Sequence, residues 1–253
     1  MRYEQVERVC VVPPRIQIRL FSFSGVTIYS DRRHRVPVLQ RIVLGIEVGR
    51  VVLLHGPRGS GKSLFLRTLS GRWPHLSGDV KVMQFRIGPG RGIFRNRRLR
   101  KVVGYLPQTG GFLPERTLRE NLLFRGRLLG LGEKRLKDDG VKEAAETFGL
   151  DLGSRRPLGA FSYREQRLAA VFLVTALPYP MLVLDEPFLG LAPAEGRLIL
   201  QRILALREAG REIVVALSDP EKVEALEGIR LYIENGEVYR SVTEAGDGRG
   251  EIP

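Results

Sequence analysis

The sequence predicts an α/β fold that combines a mostly parallel sheet, an antiparallel β subdomain and an inserted helical subdomain. Three observations lead to this prediction. Residues 56–63 read Gly-Pro-Arg-Gly-Ser-Gly-Lys-Ser and follow an apolar run, Val51 to Leu54. Residues 181–187 read Met-Leu-Val-Leu-Asp-Glu-Pro, a buried-strand pattern that ends in two carboxylates. Between these two segments, residues 117–175 place apolar side chains at helical spacing.

The first part of the chain is predicted to be β structure. Ile16 to Ser30 alternates apolar and polar side chains in two β-like runs. After a basic insert at residues 31–35, strands are expected at residues 42–48 and 50–54. Gly49 separates these two strands and is typical of a tight turn into the strand that precedes residue 56.

Residues 56–63 match the pattern G-x-x-x-x-G-K-[ST], and a helical pattern follows from Leu64. In this setting glycines let backbone N–H groups turn inward around phosphate oxygens, and the helix N-terminus adds partial positive charge. Lys62 is expected to reach the β- and γ-phosphates, and the Ser63 hydroxyl is expected to bind Mg²⁺. The predicted nucleotide-binding residues of this loop are Gly56, Pro57, Arg58, Gly59, Ser60, Gly61, Lys62, Ser63 and Leu64.

The second motif ends in Asp185 and Glu186. Asp185 is placed to hold the metal, and Glu186 is placed to orient or deprotonate a water molecule. Together with the loop at residues 56–63, this strand predicts an ATP-binding chain with a P-loop ATPase core.

The segments between and after the two motifs complete the predicted fold. Ser77-Gly78 is expected to open an antiparallel pair of strands, residues 79–86 and 101–106, joined by a basic, glycine-rich loop. Strand and helix then alternate at residues 181–184, 197–209 and 212–217. Near the end, Asn235-Gly236 predicts a hairpin with a type I′ turn between residues 231–234 and 237–240.

These elements predict one domain over residues 1–253. Its core comprises residues 1–108 and 176–240, and the helical subdomain comprises residues 109–175. Residues 241–253 are polar and glycine-rich, and we expect a loose tail there.

Composition limits the possible classes of protein. A chain of 253 residues can bury one core with an inserted subdomain, but not two nucleotide-binding domains. The longest apolar run, Leu168 to Leu177, is about half of the roughly 20 residues that a membrane span requires. The single cysteine, Cys10, excludes an intrachain disulfide, and the mixed charge of the first residues does not resemble a signal peptide. These features predict a cytoplasmic protein.

The net charge of +13 allows more than one interpretation. The basic cluster from Arg91 to Lys101 could face the phosphates of nucleic acid or anionic lipid, or it could be a solvated, arginine-rich hairpin. We favour the solvated hairpin and expect no specific binding of nucleic acid.

With its phosphate loop, helical insertion and late Leu-Asp-Glu-Pro strand, the chain resembles the nucleotide-binding subunit of ATP-binding cassette (ABC) transporters, from about residue 15 to residue 240. Gly104-Tyr105-Leu106-Pro107-Gln108 resembles the glutamine loop of this family. The resemblance implies that Gln108 contacts Mg²⁺ and reports the nucleotide state to a membrane subunit. It also places Tyr29 where family members carry an aromatic ring that stacks on adenine.

The chain departs from the family at three places. The signature Leu-Ser-Gly-Gly-Gln, which caps the ATP of the opposite subunit in the family, corresponds to residues 161–165, Phe-Ser-Tyr-Arg-Glu. Ser162 is retained and is predicted to contact nucleotide, and Ser162-x-x-Glu165 also forms a capping-box pattern. Ala192 replaces the aspartate of the following loop, and Ser218 replaces the switch histidine.

The resemblance implies an ATPase subunit that binds and hydrolyses Mg·ATP at a dimer interface and drives transport by a separate membrane permease. It would lie on the inner face of the cell membrane, paired with a second nucleotide-binding subunit. The eroded signature favours a heterodimer over a homodimer. Two alternatives stay open: a non-transport cassette that acts on nucleic acid or in translation, and a regulatory cassette that binds ATP with little hydrolysis.

Overall fold

The computed structural model describes residues 19–31, 33, 36–49, 51–88, 96–133, 139–218 and 226–241. In chain order its strands are β1 (Arg19–Tyr29), β2 (Pro37–Glu47), β3 (Val51–His55), β4 (Leu76–Val82), β5 (Phe85–Ile87), β6 (Val103–Leu106), β7 (Met181–Asp185), β8 (Glu212–Leu217), β9 (Ile229–Glu234) and β10 (Glu237–Ser241). Its helices are α1 (Lys62–Leu69), α2 (Leu99–Val102), α3 (Leu118–Leu128), α4 (Asp139–Thr147), α5 (Tyr163–Thr175) and α6 (Pro193–Glu208), with a short 3₁₀ helix at Leu158–Ala160.

The central sheet has the strand order β10-β9-β3-β8-β7-β6. Its strands from β9 to β6 run parallel, and β10 is added antiparallel at one edge. The inner strands β3, β7 and β8 are almost entirely apolar, because helices or a second sheet cover both faces of a parallel sheet. The α/β fold with a mostly parallel core is therefore confirmed.

A second, antiparallel sheet has the strand order β2-β1-β4-β5. The two β-like runs that the sequence indicates at residues 16–30 form the single strand β1 within the described residues, which begin at Arg19. The register with β2 shifts between Ser24 and Val26, and Gly25 at this point has a φ of 61°. The apparent break between the runs is thus a bulge that a glycine accommodates.

The predicted pairing of residues 79–86 with residues 101–106 is wrong. β4 instead forms a short hairpin with β5, and Met83 in its turn has a φ of 51°. β6 belongs to the other sheet, where it runs parallel to β7. All of its side chains are buried, which suits a strand covered on both faces and not an antiparallel strand with one face in water. The loop at residues 89–95 lies outside the described residues.

Apolar side chains of the central sheet alternate between two hydrophobic cores. Leu53, Leu184 and Val215 pack on one side with α3, α4, α5 and α6. Val52 and Val183 pack on the other side with α1 and the antiparallel sheet. The sheet therefore lies between a helical layer and a β layer.

The C-terminal hairpin confirms the predicted turn. Glu234 pairs with Glu237, and the two residues between them, Asn235 and Gly236, have φ angles of 50° and 82°. Positive φ at both positions defines a type I′ turn. Within the described part of the chain, no helix combines the length and apolar character needed to cross a membrane.

Candidate active site

The register of the central sheet brings four connecting loops to one edge. His55 is level with Leu217, Asp185 with Ala216, and Leu106 with Leu184. The loops that follow these strands therefore start side by side at the carboxyl end of the sheet, where ligands bind in open α/β sheets. At these strand ends, or just after them, lie the predicted site residues Gly56 to Ser63, Gln108, Asp185 and Glu186, together with Ser218.

The loop after β3 depends on glycine at its start and end. Gly56 has a φ of 144°, and a β-carbon there would lie 2.1 Å from the backbone oxygen of Ile233. Gly61 has a φ of 107° and occupies the N-cap of α1, where it offers no side chain to the first-turn N–H groups. The first turn of α1 also carries no acidic residue. These N–H groups therefore stay available for an external anion.

Lys62 lies within this loop. Its side chain is buried, and Nζ donates hydrogen bonds to the carbonyl oxygens of Gly56 at 2.6 Å and Pro57 at 2.9 Å. Burial lowers the pKa of Lys62, while the nearby carboxylates of Glu186 and Asp185 act in the opposite direction. The ammonium is thus fixed by carbonyl groups next to the first turn of α1, where a phosphate would neutralise it.

Asp185 and Ser63 form a pair suited to a divalent cation. Asp185 is 1% exposed, and the Ser63 side chain lies beside its carboxylate. Burial raises the pKa of Asp185, and the neighbouring charge of Glu186 raises it further. Within the described structure, Oδ1 of Asp185 has no hydrogen-bond partner. A buried oxygen without a partner beside a hydroxyl oxygen fits Mg²⁺, which prefers oxygen ligands.

The protein supplies only part of a coordination shell at this point. Among the described residues, no group of three or more His, Cys, Asp or Glu side chains is arranged to hold a metal. Magnesium at phosphate-binding sites is typically held by one or two protein oxygens, with substrate phosphates and water completing the shell. The donors present therefore fit a cation that arrives with nucleotide.

Glu186 is held in an unusual backbone conformation directly after β7. Its φ is 51°, and its backbone N–H donates to the carbonyl oxygen of Ala216 at 3.0 Å. The Ser218 hydroxyl, at the end of β8, donates a hydrogen bond to Oε1 of Glu186. In the sequence, Ser218 was notable only because it replaces the switch histidine. In the structure, its hydroxyl contacts the carboxylate on which hydrolysis would depend.

Arg167 is a further residue that sequence reasoning missed. It lies in α5, is 4% exposed, and Nη1 donates to the carbonyl oxygens of Pro107 at 2.9 Å and Gln108 at 3.2 Å. Nη2 donates to the carbonyl oxygens of Asp185 at 2.8 Å and Glu186 at 2.5 Å. Burial lowers the pKa of this guanidinium. The only signal in the sequence is a cation directly before the apolar run of α5.

Two further predicted contacts, Gln108 and Tyr29, lie on the loop after β6 and at the end of β1. Gln108 is exposed on the loop after β6, where Arg167 holds its backbone oxygen. Tyr29 ends β1 and is half-buried; its backbone oxygen accepts a hydrogen bond from Nε1 of Trp73 at 2.9 Å. The roles of Gln108 and Tyr29 toward metal and adenine stay predictions.

The segment at residues 161–165 begins α5 with the predicted capping box. The Ser162 N–H donates to Oε2 of Glu165 at 2.7 Å, and the Glu165 N–H donates to Oγ of Ser162 at 3.3 Å. The Tyr163 ring lies against Gly190, where an added β-carbon would come within 2.5 Å of Cε1. Arg164 forms an ion pair with Glu195 in the first turn of α6. Both departures from glycine thus make contacts within the chain.

Comparison with known proteins identifies related sequences. The model of the family described as ABC transporter matches residues 39–189. The manganese transport system ATP-binding protein MntB of Bacillus subtilis is 31% identical over 198 residues, covering 76% of this chain and 75% of MntB. The cell division ATP-binding protein FtsE of Mycobacterium tuberculosis is 30% identical, covering 75% of this chain and 82% of FtsE. Rat phospholipid-transporting ATPase ABCA3 is 30% identical, but the match covers only 11% of its length.

Solved structures share the fold. An ATP-binding subunit of an ABC transporter superposes with a TM-score of 0.78 at 21% identity, covering 88% of this chain and 90% of that chain. A dimeric ATP-binding cassette in a post-hydrolysis state, bound to ADP and Pi, superposes with a TM-score of 0.75 at 25% identity, covering 87% and 97%. Both cover nearly all of the described structure.

Proposed function

The chain belongs to the ABC transporter family, and from this premise we propose that it binds and hydrolyses Mg·ATP as the ATP-binding subunit of a transporter with a separate membrane permease. One observation carries the proposal. At a single edge of the sheet, Lys62 and the first turn of α1 lie beside Ser63, the buried Asp185 and the carboxylate of Glu186. This arrangement suits phosphoryl transfer to water.

Each residue has a proposed task. Backbone N–H groups of residues 56–63 and the Lys62 ammonium bind the β- and γ-phosphates of ATP. Ser63, Asp185 and Gln108 hold Mg²⁺, which when bound supplies Lewis-acid stabilisation of the charge on the phosphate oxygens. Glu186 accepts a proton from the attacking water or orients it, and the Ser218 hydroxyl fixes the direction of that carboxylate.

Two further nucleotide contacts belong to the proposal. Tyr29 stacks on adenine from the end of β1. Ser162 contacts the nucleotide that the opposite subunit holds. It does so from the N-terminus of α5, which the capping box of Ser162 and Glu165 stabilises.

The protein would act in a complex at the cytoplasmic face of the cell membrane. Relatives are named as ATP-binding components of transport systems, and a solved structural neighbour is a cassette dimer. We propose a permease and a second nucleotide-binding subunit as its partners. Transport would follow from dimer closure on ATP and its reversal after hydrolysis.

The contacts of Tyr163 and Arg164 favour a companion cassette over a second copy of this chain. In the family, two glycines at these positions let the backbone approach the ATP of the opposite subunit. Here Tyr163 is packed on Gly190 and the charge of Arg164 is paired with Glu195. A companion with the sequence Leu-Ser-Gly-Gly-Gln would serve the ATP at Lys62 better than this segment would.

We therefore expect low ATPase activity from the purified chain alone. In a dimer of two copies, the ATP of each subunit would face residues 161–165 of the other, where Tyr163 and Arg164 are engaged within their own chain. Activity should rise severalfold when the chain is co-purified with its cognate membrane and nucleotide-binding subunits. Steady-state phosphate release from both preparations measures this. Full activity of the isolated chain, unchanged by its partners, would contradict the heterodimer.

The retained chemistry also bears on the alternative of a regulatory cassette. Tyr163 and Arg164 favour it, since the segment that should cap ATP is engaged within the chain. The Ser218–Glu186 hydrogen bond and the metal-binding pair argue for turnover. The ATPase rate of the assembled complex distinguishes a hydrolysing subunit from a regulatory cassette. If this chain is a regulatory cassette, replacing Glu186 does not change that rate.

For the nucleic-acid alternative, we expect only weak binding to DNA or RNA, because net positive charge alone attracts phosphates without recognising sequence. This binding should disappear between about 50 and 200 mM salt. Fluorescence anisotropy with labelled duplex and single strands of several sequences measures it. Nanomolar, sequence-selective binding above this range would support a nucleic-acid function instead.

A further inference from the structure

A cleft with a volume of about 440 Å³ opens between α4 and α6, and none of the described nucleotide-site residues lines it. Ala144 of α4 and Ala205 of α6 both line it, and their small side chains leave space between the two helices. Of the described lining residues, three are charged: Glu143, Arg202 and Arg211. We call this space the α4–α6 cleft.

The two arginines of the cleft converge on the end of α5. Nη2 of Arg202 donates to the carbonyl oxygen of Thr175 at 3.2 Å, and Nη1 of Arg211 donates to the same oxygen at 3.3 Å. Arg211 also donates to the carbonyl oxygen of Leu177 at 2.8 Å. These carbonyl groups engage one nitrogen of each guanidinium. Within the described structure, Nε of Arg202 is buried and has no hydrogen-bond partner.

Two positive charges are therefore held side by side in a partly buried setting. Burial lowers the pKa of both arginines, and the charge of Arg202 lowers the pKa of Arg211 further. Neither arginine forms an ion pair with a carboxylate of the described residues. Burial of unpaired charges carries a desolvation penalty, which a bound carboxylate would offset through charge-assisted hydrogen bonds.

The α4 side of the cleft offers hydrogen-bond acceptors of opposite charge. Glu143 is exposed and lies near enough to Arg202 to counteract the fall in the pKa of that arginine. The Thr147 hydroxyl also lines the cleft and donates to the carbonyl oxygen of Glu143 at 2.8 Å, so its own oxygen can accept a hydrogen bond. A carboxylate and a hydroxyl oxygen suit an ammonium group, whereas Glu143 would repel a simple anion such as phosphate.

Apolar side chains form the rest of the cleft. Val141 of α4 and Leu206 of α6 are buried and line it together with Ala144. Its volume lies within the range of sites that hold small organic molecules. The cleft thus combines a cationic part, an anionic part and an apolar surface within the space of one small ligand.

We propose that the α4–α6 cleft binds a free α-amino acid with an apolar side chain. Its carboxylate pairs with Arg202 and Arg211, its ammonium group pairs with Glu143, and its side chain packs against Val141 and Leu206. The proposal does not depend on the function proposed for the nucleotide site. A bound amino acid contacts α4 and α6 at once, and so links the predicted helical subdomain to the core.

The test is isothermal titration calorimetry of the full chain with L-leucine and two analogues of the same shape. Leucinamide lacks the carboxylate, and isocaproate lacks the amino group. We expect saturable binding of L-leucine at millimolar concentration or below, at least about tenfold tighter than either analogue, because each analogue leaves a charged group of the cleft unpaired. Absence of saturable L-leucine binding would overturn the proposal, and so would equal affinity for L-leucine and either analogue.

A matched pair of variants on α4 tests the ammonium contact. Glu143→Gln removes a charge from the cleft, and Glu146→Gln makes the same change at an exposed position of α4 outside it. We expect the first to weaken L-leucine at least about tenfold and to abolish its advantage over isocaproate. The second should leave both affinities unchanged. Equal effects of the two variants would contradict the placement of the ligand.

A second matched pair on α6 tests the carboxylate contact. Arg202→Gln should abolish the advantage of L-leucine over leucinamide, whereas Arg207→Gln, at an exposed position outside the cleft, should retain it. Because Arg202 also holds the end of α5, circular dichroism verifies that the variant is folded.

Ala205→Trp provides a test that keeps all three charges. It fills the cleft from an exposed position and should abolish L-leucine binding. Wild-type affinity for L-leucine in folded Ala205→Trp would show that the amino acid binds elsewhere and would overturn the proposal.

Discussion

Replacement of Lys62 by alanine is expected to weaken Mg·ATP binding at least a hundredfold. The wild type is expected to bind with micromolar affinity, which corresponds to a binding free energy of roughly −8 kcal/mol. The ammonium is held by the carbonyl oxygens of Gly56 and Pro57 beside the first turn of α1, so its loss removes the main charge facing the phosphates. Isothermal titration calorimetry on the purified chain measures the change.

The control for the Lys62 experiment is Arg58→Ala in the same loop. Arg58 is exposed, and its expected contribution is a backbone N–H that alanine retains. Its effect should therefore be small. Equal ATP binding by the wild type and Lys62→Ala would contradict the assignment of this loop to nucleotide, because Lys62 carries the charge that is proposed to face the β- and γ-phosphates.

The second large effect is expected from Glu186→Gln. In the complex with cognate subunits, this change should lower the ATPase rate by about 10²–10⁴-fold, because glutamine cannot accept a proton from water. Mg·ATP binding should persist, since Lys62, Ser63 and Asp185 are unchanged. Phosphate release and equilibrium binding, measured on the same preparation, separate these two effects.

Ser218→Ala is the companion variant for Glu186. It leaves the carboxylate in place and removes the hydroxyl that donates to Oε1. The rate should fall by much less than in Glu186→Gln, because the carboxylate keeps its chemistry and loses only an orienting contact. A wild-type ATPase rate for Glu186→Gln in the complex would contradict the role given to Glu186.

The parts of the fold that sequence predicted are those encoded locally. The loop at residues 56–63, the capping box at Ser162 and Glu165, and the type I′ turn at Asn235-Gly236 each depend on neighbours within a few positions. Alternation and apolar runs also identified most strands, since burial on one or both faces leaves a period in the sequence.

The partner of β6 could not be obtained in the same way. Val103 to Leu106 is short and apolar, and either sheet could accept it by composition. Its true neighbour is β7, some 78 residues further along the chain (Val103 pairs with Met181). Register between distant strands is decided by how the layers pack, which a local pattern does not contain.

The same limit applies to the candidate site. Arg167 contacts carbonyl groups that lie 60 residues before it and 18 after it, so nothing near it in the sequence indicates its partners. The sequence shows Ser218 only as a replacement for the switch histidine. Its hydrogen bond to Glu186 depends on the adjacent ends of β7 and β8, which the local sequence does not contain. Tyr163 and Arg164 could be recognised as departures, but not as contacts of Gly190 and Glu195.

Arg167 has a mechanical consequence. One guanidinium holds the start of α5, the backbone of Gln108 and the turn after β7 with four hydrogen bonds. A rotation of the helical layer about an axis that does not pass through Arg167 would have to break several of these buried hydrogen bonds at the same time. The three segments should therefore move as one rigid unit. Any rotation of the helical layer should have its axis at Arg167, and the loops farther from Arg167 should deform.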